Sequence, residues 1–468
     1  MYSFLISIVV LILGYFIYGT FVEKIFGINE KSKTPATEQE DGVDYVPMDW
    51  KQIFLIQFLN IAGLGPIFGA ISGALWGPAA FLWIVFGCIF AGAVHDYFSG
   101  MLSIRHNGAS ISEIVGIYLG GGVKQVMRVF SVVLLILVGT VFMTGPAGLL
   151  SNLTGMNLSV WVGIIIVYYF LATILPVDKI IGKVYPLFGA SLIIMALGIA
   201  GGLFIKGYQI PEITLQNLHP NSLPLWPLLF VTIACGAISG FHATQSPMMA
   251  RCVTNEKYGR RVFYGTMIAE GIIALIWAAA AMTFFGGTEA LQAAGAPAVV
   301  VNTISMELMG PIGGVLAMLG VIACPITSGD TAFRSARLTI ADTFGVTQKP
   351  IAKRLLLAAP LFAIGYSLTL IDFQIIWRYF AWSNQALAMM VLWASAAYLS
   401  VNNKLHWIAT IPATFMTAVS VTYILQAPEG FKLATSISYP VGVTVALALL
   451  VGFLLFGKNL PDKTKISA

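Results

Sequence analysis

Long apolar runs separated by short polar segments dominate this chain and limit what it can fold into. Residues 2–22, 78–94 and 438–457 are almost continuously apolar, and each is long enough to cross a hydrocarbon core of about 30 Å as a helix. Only 10% of the 468 residues are charged and 58% are hydrophobic, whereas about a quarter of a soluble domain is charged. The sequence therefore predicts an all-α integral membrane protein.

Thirteen segments have the length and composition of transmembrane helices. They are residues 2–22, 52–74, 78–101, 125–149, 158–177, 184–206, 225–247, 263–285, 311–333, 355–371, 374–399, 405–425 and 438–457. With these spans, all but three of the 25 lysines and arginines fall on one side of the membrane, the exceptions being Lys206, Lys432 and Arg378. The positive-inside rule assigns that side to the cytoplasm, which predicts an external N-terminus and a cytoplasmic C-terminus.

Two spans carry glycine and proline at mid-membrane depth. The second reads QFLNIAGLGPIFGAISGALWG over 57–77, and the seventh reads FVTIACGAISGFHATQSP over 230–247. Such residues release backbone groups that hydrocarbon cannot satisfy, so breaks of this kind survive only where they face protein or water. Interrupted helices at matching places in two halves indicate a transporter binding site. The alternative is two kinked helices that only pack.

The spacing of the two interrupted spans predicts an inverted repeat. Five spans counted from each give residues 52–206 and 225–399, which start on opposite sides of the membrane. Residues 1–51 then form an extra helix with a cytoplasmic loop, and residues 405–468 form two further helices and a tail. The predicted architecture is a five-plus-five inverted repeat resembling the leucine transporter.

At these residues the sequence resembles the carbon starvation protein A family. The matching stretches are NIAGLGPIFG (60–69), GCIFAGAVHDYFSGMLSIRHNGASI (87–111), ISGFHA (238–243), TSGDTAFRSAR (327–337) and SNQALA (383–388). The resemblance implies the amino acid–polyamine–organocation superfamily fold in a bacterial cytoplasmic membrane, and uptake of pyruvate or short peptides coupled to protons. This chain lacks the extended C-terminal region of the longest members and has His95 where other members have glutamine.

The two interruptions are the candidate substrate site. If the second span unwinds over 62–65, Pro66 suits the first turn of the resumed helix. The amides of Ile67, Phe68 and Gly69 would then donate hydrogen bonds to a carboxylate bound in the break. A small 2-oxo acid needs such donors and one side-chain donor for its keto oxygen. The predicted substrate-binding residues are Asn60, Gly63, Gly65, Phe68, Ser239, Gly240, His242, Gln245, Asn384 and Gln385.

Ionisable residues within apolar spans are functional candidates by default because burying them is costly. Asp330 and Arg334 are four residues apart and could pair on a helix, or Asp330 could hold a coupling proton or cation. The resembled fold implies hydroxyl ligands for sodium on the same helix, beside the first break. The predicted coupling residues are Ala62, Thr327, Ser328, Asp330, Thr331, His95 and Asp96.

Four ionisable residues have open alternatives. His95 and Asp96 are placed near the cytoplasmic end of their span, where they relay protons or anchor the loop that follows; adjacent helical residues point about 100° apart and need not touch. Glu270 lies mid-span, with a packing role slightly favoured. Arg378 could draw anions into an extracellular vestibule or extend to the lipid headgroups. Asn384 and Gln385 could hydrogen-bond substrate or neighbouring helices. For these residues too, a packing role is slightly favoured.

The leading functional hypothesis is a secondary importer driven by protons or sodium ions, with a small organic anion or short peptide as substrate. Neither GxxxxGK[ST] nor HExxH nor GxSxG occurs, which disfavours a nucleotide-driven pump and an intramembrane enzyme. A non-transporting nutrient sensor remains the other alternative. No cofactor, metal or nucleic-acid partner is predicted, and the sequence does not separate pyruvate from peptides or proton from sodium.

Overall fold

The computed structural model describes residues 1–42, 44–174, 178–348 and 350–457, with 178–186 described by their backbone alone. The described chain is helical, with one isolated bridge between Met48 and Val253. The helices of the first half are α1 (Tyr2–Phe16), α2 (Tyr18–Phe26), α3 (Pro35–Glu38), α4 (Trp50–Ile61), α5 (Leu64–Gly73), α6 (Ala79–Leu82), α7 (Ala93–Arg105), α8 (Ile111–Leu119), α9 (Gly121–Thr154), α10 (Leu158–Ile174) and α11 (Asp178–Ile205).

The second half continues in the same manner. Its helices are α12 (Leu228–Thr232), α13 (Gly240–Ala250), α14 (Gly265–Phe284), α15 (Thr288–Ala293), α16 (Pro297–Ala317), α17 (Cys324–Phe344), α18 (Ile351–Leu368), α19 (Phe373–Val401), α20 (Trp407–Gln426) and α21 (Thr435–Phe456). Large apolar side chains stay exposed on outer helices such as α1 and α21, as expected for surfaces that meet lipid rather than water.

Ten helices of the described part are long and apolar enough to cross a membrane, and the bent pair α4–α5 adds an eleventh. The predicted spans 158–177 and 225–247 fall outside this set for different reasons. Helix α10 has 17 residues, and positions 175–177 lie outside the described residues. The region 225–247 is divided between α12 and α13 by seven non-helical residues, 233–239. All-helical membrane architecture is therefore confirmed.

The helix breaks lie where glycine and proline predicted them. Helix α4 ends at Ile61 and α5 begins at Leu64, with a bend of 48° between the two segments. Helix α12 ends at Thr232 and α13 begins at Gly240. We call α4–α5 the first broken helix and α12–α13 the second broken helix. The first break is shorter than predicted because helical structure resumes at Leu64, before Gly65 and Pro66.

Three helices are entered through π-helical segments, which periodicity did not predict. Residues Trp83–Gly92 precede α7, Arg260–Tyr264 precede α14, and Met318–Ala323 precede α17. A π-turn adds one residue to the helical repeat, and such turns often occur near functional sites. The three helices that follow carry Asp96, Glu270 and Asp330, respectively.

A separate kink divides α16. Gly310 has φ 62° and ψ −150°, a left-handed φ that glycine adopts without the steric cost of a side chain. Pro311 follows directly, and the predicted span 311–333 begins there. The helix therefore changes direction before it enters the membrane segment that contains α17.

Candidate substrate and proton sites

The two broken helices contact each other at their breaks. A Cβ atom added at Gly65 would lie 2.5 Å from Cys235 Sγ, and one added at Gly69 would lie 3.2 Å from the carbonyl oxygen of Thr232. One added at Gly236 would lie 3.7 Å from Pro66 Cα. At Gly65 and Gly69 a side chain would crowd the second broken helix, whereas at Gly236 the crowding would be with Ala274 of α14, at 2.5 Å. The breaks therefore form one central region of the molecule.

Neighbouring helices satisfy backbone groups of the first break. The carbonyl oxygen of Leu59 accepts a hydrogen bond from Ser328 Oγ at 3.3 Å and a weaker one from Cys324 Sγ at 3.5 Å. Because α5 begins at Leu64 with Gly63 as its N-cap, the amides without an acceptor one turn earlier are those of Gly63, Leu64 and Gly65, since Pro66 has no N–H. The sequence-based assignment of Ile67, Phe68 and Gly69 as the open amides is therefore wrong, since these residues lie beyond the first turn.

Side chains of α19 cap both ends of the second break. Asn384 Oδ1 accepts hydrogen bonds from Ser239 Oγ at 3.0 Å and from the amide of Phe241 at 2.8 Å. Gln385 Nε2 donates to the carbonyl oxygen of Phe230 at 3.1 Å. Trp83 Nε1 donates to the carbonyl oxygen of Ile233 at 3.0 Å. These contacts explain how an interruption of seven residues is tolerated at membrane depth.

Several predicted substrate-binding residues present buried polar atoms near the breaks. Among the described residues, Asn60 Oδ1, Gln245 Oε1 and Gln385 Oε1 have no hydrogen-bond partner. Buried polar atoms are usually paired, so these oxygens are available to a ligand. Phe68 packs against Trp377, with ring centroids 6.0 Å apart. The indole Nε1 of Trp377 is also buried without a hydrogen-bond partner among the described residues. Three unpaired hydrogen-bond acceptors and one unpaired donor, the Trp377 Nε1, thus lie on α4, α13 and α19, the helices next to the breaks.

A buried network joins the second broken helix to α7 and α14. His95 Nδ1 lies 2.7 Å from Asp96 Oδ1, and His242 Nδ1 lies 2.8 Å from Asp96 Oδ2. His242 Nε2 lies 3.3 Å from Glu270 Oε2. All four side chains have no exposed surface. We call these residues the His–Asp–His–Glu network.

The structure corrects the predicted environment of three network residues. His95 and Asp96 lie about nine residues before the end of α7 at Arg105, and so about 14 Å inside the helix by its rise per residue, rather than near its cytoplasmic end. They are in direct contact despite being adjacent in sequence. Glu270, for which packing was favoured, is a member of the network. The signal available from sequence was an ionisable residue within each of three apolar runs.

No lysine or arginine of the described residues is ion-paired to the network. Two carboxylates buried with neutral imidazoles would leave two uncompensated charges, and each such charge costs several kcal/mol to bury (about 3–5 on mutational evidence). Bound protons remove this cost. The described part of the chain has no cluster placed to hold a metal ion. The arrangement is therefore suited to binding protons.

The predicted coupling residues on α17 are arranged differently. Asp330 Oδ2 lies 3.3 Å from Arg334 Nη2, which confirms the pairing expected from their spacing. The hydroxyls of Thr327 and Thr331 donate to carbonyl oxygens of their own helix at 2.7 and 3.0 Å. Of the three hydroxyl residues, Ser328 is the one that reaches the first broken helix. Ala62, the C-cap of α4, is fully buried.

A cavity of about 270 Å³ lies beside the breaks, between the C-terminal end of α5, the last residue of α12 and the N-terminal part of α19. Its lining includes Ser72, His219, Gln374, Trp377 and Arg378. Arg378 Nε donates to Glu429 Oε1 at 2.6 Å. Arg378 thus lines this cavity and is ion-paired there with a carboxylate; whether it draws in anions stays a prediction.

Comparison with known proteins gives the class of the chain. The solved structure of Mhp1, a nucleobase-cation-symport-1 family transporter in a closed conformation, covers 93% of this chain and 97% of its own, with a TM-score of 0.55 and 14% identity. The Escherichia coli pyruvate/proton symporter BtsT is 26% identical over 338 residues, which are 58% of this chain and 47% of the symporter. Fold and relatives together define a membrane transporter rather than an enzyme.

The family follows from the sequence matches. A family model described as carbon starvation protein CstA matches residues 1–154 and 146–289. An uncharacterized membrane protein of Haemophilus influenzae is 48% identical over 343 residues, covering 62% of this chain and 92% of its own. The Campylobacter jejuni peptide transporter CstA is 25% identical and covers 100% of this chain and 86% of its own. The chain belongs to the carbon starvation protein CstA family.

Proposed function

We propose that this protein is a proton-coupled importer of pyruvate or short peptides that works by alternating access around its two broken helices. In this proposal the chain crosses a bacterial cytoplasmic membrane thirteen times, with an external N-terminus and a cytoplasmic C-terminus. Residues 52–206 and 225–399 are the inverted repeats, preceded by one helix and followed by two. The names of relatives that transport peptides, or pyruvate with protons, support this substrate range and coupling.

The His–Asp–His–Glu network is the observation that carries the proposal. It is enclosed, contains four titratable groups, and connects α13 of the second broken helix to α7 and α14. A change in its proton content changes the charge and hydrogen bonding of a half-helix whose first turn faces the breaks. Protonation can in this way favour one orientation of α13 over another, which is what coupling requires.

The substrate is placed where the breaks meet α19. The unpaired amides of α5, Trp377 Nε1 and the free carbonyl oxygens of Asn60, Gln245 and Gln385 supply both donors and acceptors. A 2-oxo acid uses the donors alone, whereas a peptide uses both. In this proposal the substrate site is supported by the non-helical geometry of the second break, which depends on Gly240 and on the hydrogen bond between Ser239 and Asn384. Gly63, which lies beside Phe142, borders the substrate site on the side of the first break.

Sodium coupling is the second candidate because of one observation. The hydroxyl of Ser328 on α17 meets the carbonyl oxygen of Leu59 in the last turn of α4, and Ala62 follows three residues later at the first break. Oxygen ligands of this kind suit a hard cation. Asp330 would then supply charge from the same helix, although its carboxylate is paired with Arg334.

Uptake into proteoliposomes distinguishes these possibilities. Labelled pyruvate and labelled dipeptides are tested separately, with an imposed pH gradient or an imposed sodium gradient. We expect the pH gradient to drive accumulation, Asp96→Asn to reduce accumulation at least tenfold, and Asp330→Asn to retain it. Accumulation driven by sodium alone, or loss of coupling in Asp330→Asn with normal coupling in Asp96→Asn, would move the coupling site to α17. No uptake of either substrate would reject the proposed substrate range.

A further inference from the structure

The contacts of Asp96 determine which ring nitrogens carry hydrogen in the network. Its two carboxylate oxygens face Nδ1 of His95 and Nδ1 of His242 at 2.7 and 2.8 Å. A carboxylate only accepts hydrogen bonds, so both Nδ1 atoms carry a hydrogen. The remaining nitrogen of each ring, Nε2, is then the position where a further proton is gained or lost.

The two Nε2 atoms have different surroundings. Neither Nε2 atom makes a hydrogen bond among the described residues. His242 Nε2, however, lies 3.3 Å from Glu270 Oε2, an oxygen that likewise has no hydrogen-bond partner there. If neither His242 Nε2 nor Glu270 carried a proton, a nitrogen lone pair would face a carboxylate, and two buried carboxylates would share one enclosed site. One proton placed between these atoms replaces this repulsion with a hydrogen bond, whichever atom holds it more closely.

We infer that the proton exchanged in each transport cycle is the one held between His242 Nε2 and Glu270 Oε2, and that Glu270 is the residue that controls coupling. This inference rests on the proton coupling proposed above. Asp96, paired on both oxygens, keeps its charge through the cycle and orients the two imidazoles. The other titratable groups facing Glu270 are the thiols of Cys88 and Cys235, from the π-helical segment before α7 and from the second break.

The position of this proton connects it to the moving part of the site. His242 is the third residue of α13, directly after the second break, and Glu270 lies near the middle of the helical stretch Glu256–Phe284. With the proton present, a hydrogen bond joins α13 to α14. Once the proton leaves, the contact becomes repulsive and α13 is free to tilt away from α14, while the contact of His242 with Asp96 still holds it to α7.

Glu270→Gln tests the inference because glutamine is a permanently uncharged replacement of similar shape. We expect this variant to exchange internal for external labelled substrate within about twofold of the wild-type rate, yet to lose accumulation driven by a pH gradient. The number of protons released or taken up when substrate is added to purified protein should fall by one. The matched control is Glu256→Gln, at a buried glutamate paired with Arg105 outside the network, which should retain accumulation and the wild-type proton count.

The outcomes separate this inference from the function on which it rests. If the wild type does not respond to a pH gradient, the proposed coupling fails. If the wild type responds and Glu270→Gln accumulates substrate equally well, the coupling stands and the assignment to Glu270 is overturned. Should Glu270→Gln not fold, Glu270→Asp keeps a carboxyl group at a changed distance. The inference then requires a shifted pH profile of transport, and an unchanged profile would contradict it.

Discussion

Replacing Asn384 with alanine separates two roles for a residue assigned to substrate binding from the sequence. In the structure its Oδ1 accepts hydrogen bonds from Ser239 Oγ and from the amide of Phe241, at 3.0 and 2.8 Å. Asn384→Ala leaves both donors buried without this acceptor. Each such loss costs about 1–3 kcal/mol. Because the Ser239 hydroxyl can rotate toward Cys235 Sγ, 3.5 Å away, we expect a total near the lower end, about 2–3 kcal/mol.

This loss corresponds to a decrease of roughly 30-fold to 150-fold in the folding equilibrium constant. Denaturant titration of the purified protein in detergent micelles measures it, and Asn402→Ala is the matched control. The Asn402 side chain also makes one hydrogen bond to the backbone, here as the donor, from Nδ2 to the carbonyl oxygen of Tyr398 at 2.8 Å, but it lies at an exposed helix end. We expect the control to change stability by less than about 1 kcal/mol.

Transport kinetics complete the test of Asn384. Loss of the cap should lower the maximal uptake rate together with stability, because the second break no longer has a fixed geometry. A direct substrate contact predicts a raised KM with wild-type stability instead. If Asn384→Ala shows wild-type stability and a raised KM alone, the capping role derived from the structure is refuted and the sequence-based assignment stands.

Four further substitutions test the packing and charge of the central region. Gly65→Leu should prevent stable folding rather than abolish uptake in an intact protein, because its Cβ would lie 2.5 Å from Cys235 Sγ; monodispersity on size-exclusion chromatography measures this, and a well-folded variant would contradict it. Gly240→Ala should lower the thermal unfolding temperature, since the added Cβ would lie 2.5 Å from the backbone carbonyl oxygen of Asn384. An unchanged unfolding temperature would contradict this and show that the backbone of α13 or α19 shifts to make room for the methyl group. Arg378→Gln should raise the KM for an anionic substrate several-fold at low ionic strength, because it removes a positive charge from the cavity. Glu429→Gln should lower the KM, because it frees the Arg378 guanidinium from its carboxylate partner. Equal shifts of KM in both variants would exclude electrostatic attraction of the substrate.

The main features of the fold follow from local sequence signals. Apolar runs predicted where helices lie, and Gly63, Pro66, Gly236 and Gly240 predicted which two helices are interrupted. These signals act within a few residues of the chain, since glycine and proline alter the backbone at their own positions. The pairing of Asp330 with Arg334 was predictable for the same reason, because four-residue spacing brings two side chains together on any helix.

The composition of the site depended on contacts that no local signal contains. Asp96 meets His242 across 146 positions of the chain, and Asn384 meets Phe241 across 143. A single sequence shows that a buried carboxylate needs a partner, but not which partner on another helix it has. Asn384 and Gln385 were correctly selected as polar residues of interest. Their contacts with backbone groups of the second break became known only from the fold.

The π-helical segments explain why helical periodicity could not supply those contacts. Each π-turn inserts one residue, which rotates every later side chain by about 100° relative to an uninterrupted α-helix. Trp83–Gly92 and Arg260–Tyr264 lie before Asp96 and Glu270 in their helices. A helical wheel that assumes 3.6 residues per turn throughout therefore misplaces both carboxylates relative to the start of each helix. Helical periodicity alone thus does not predict that Asp96 and Glu270 both lie beside His242.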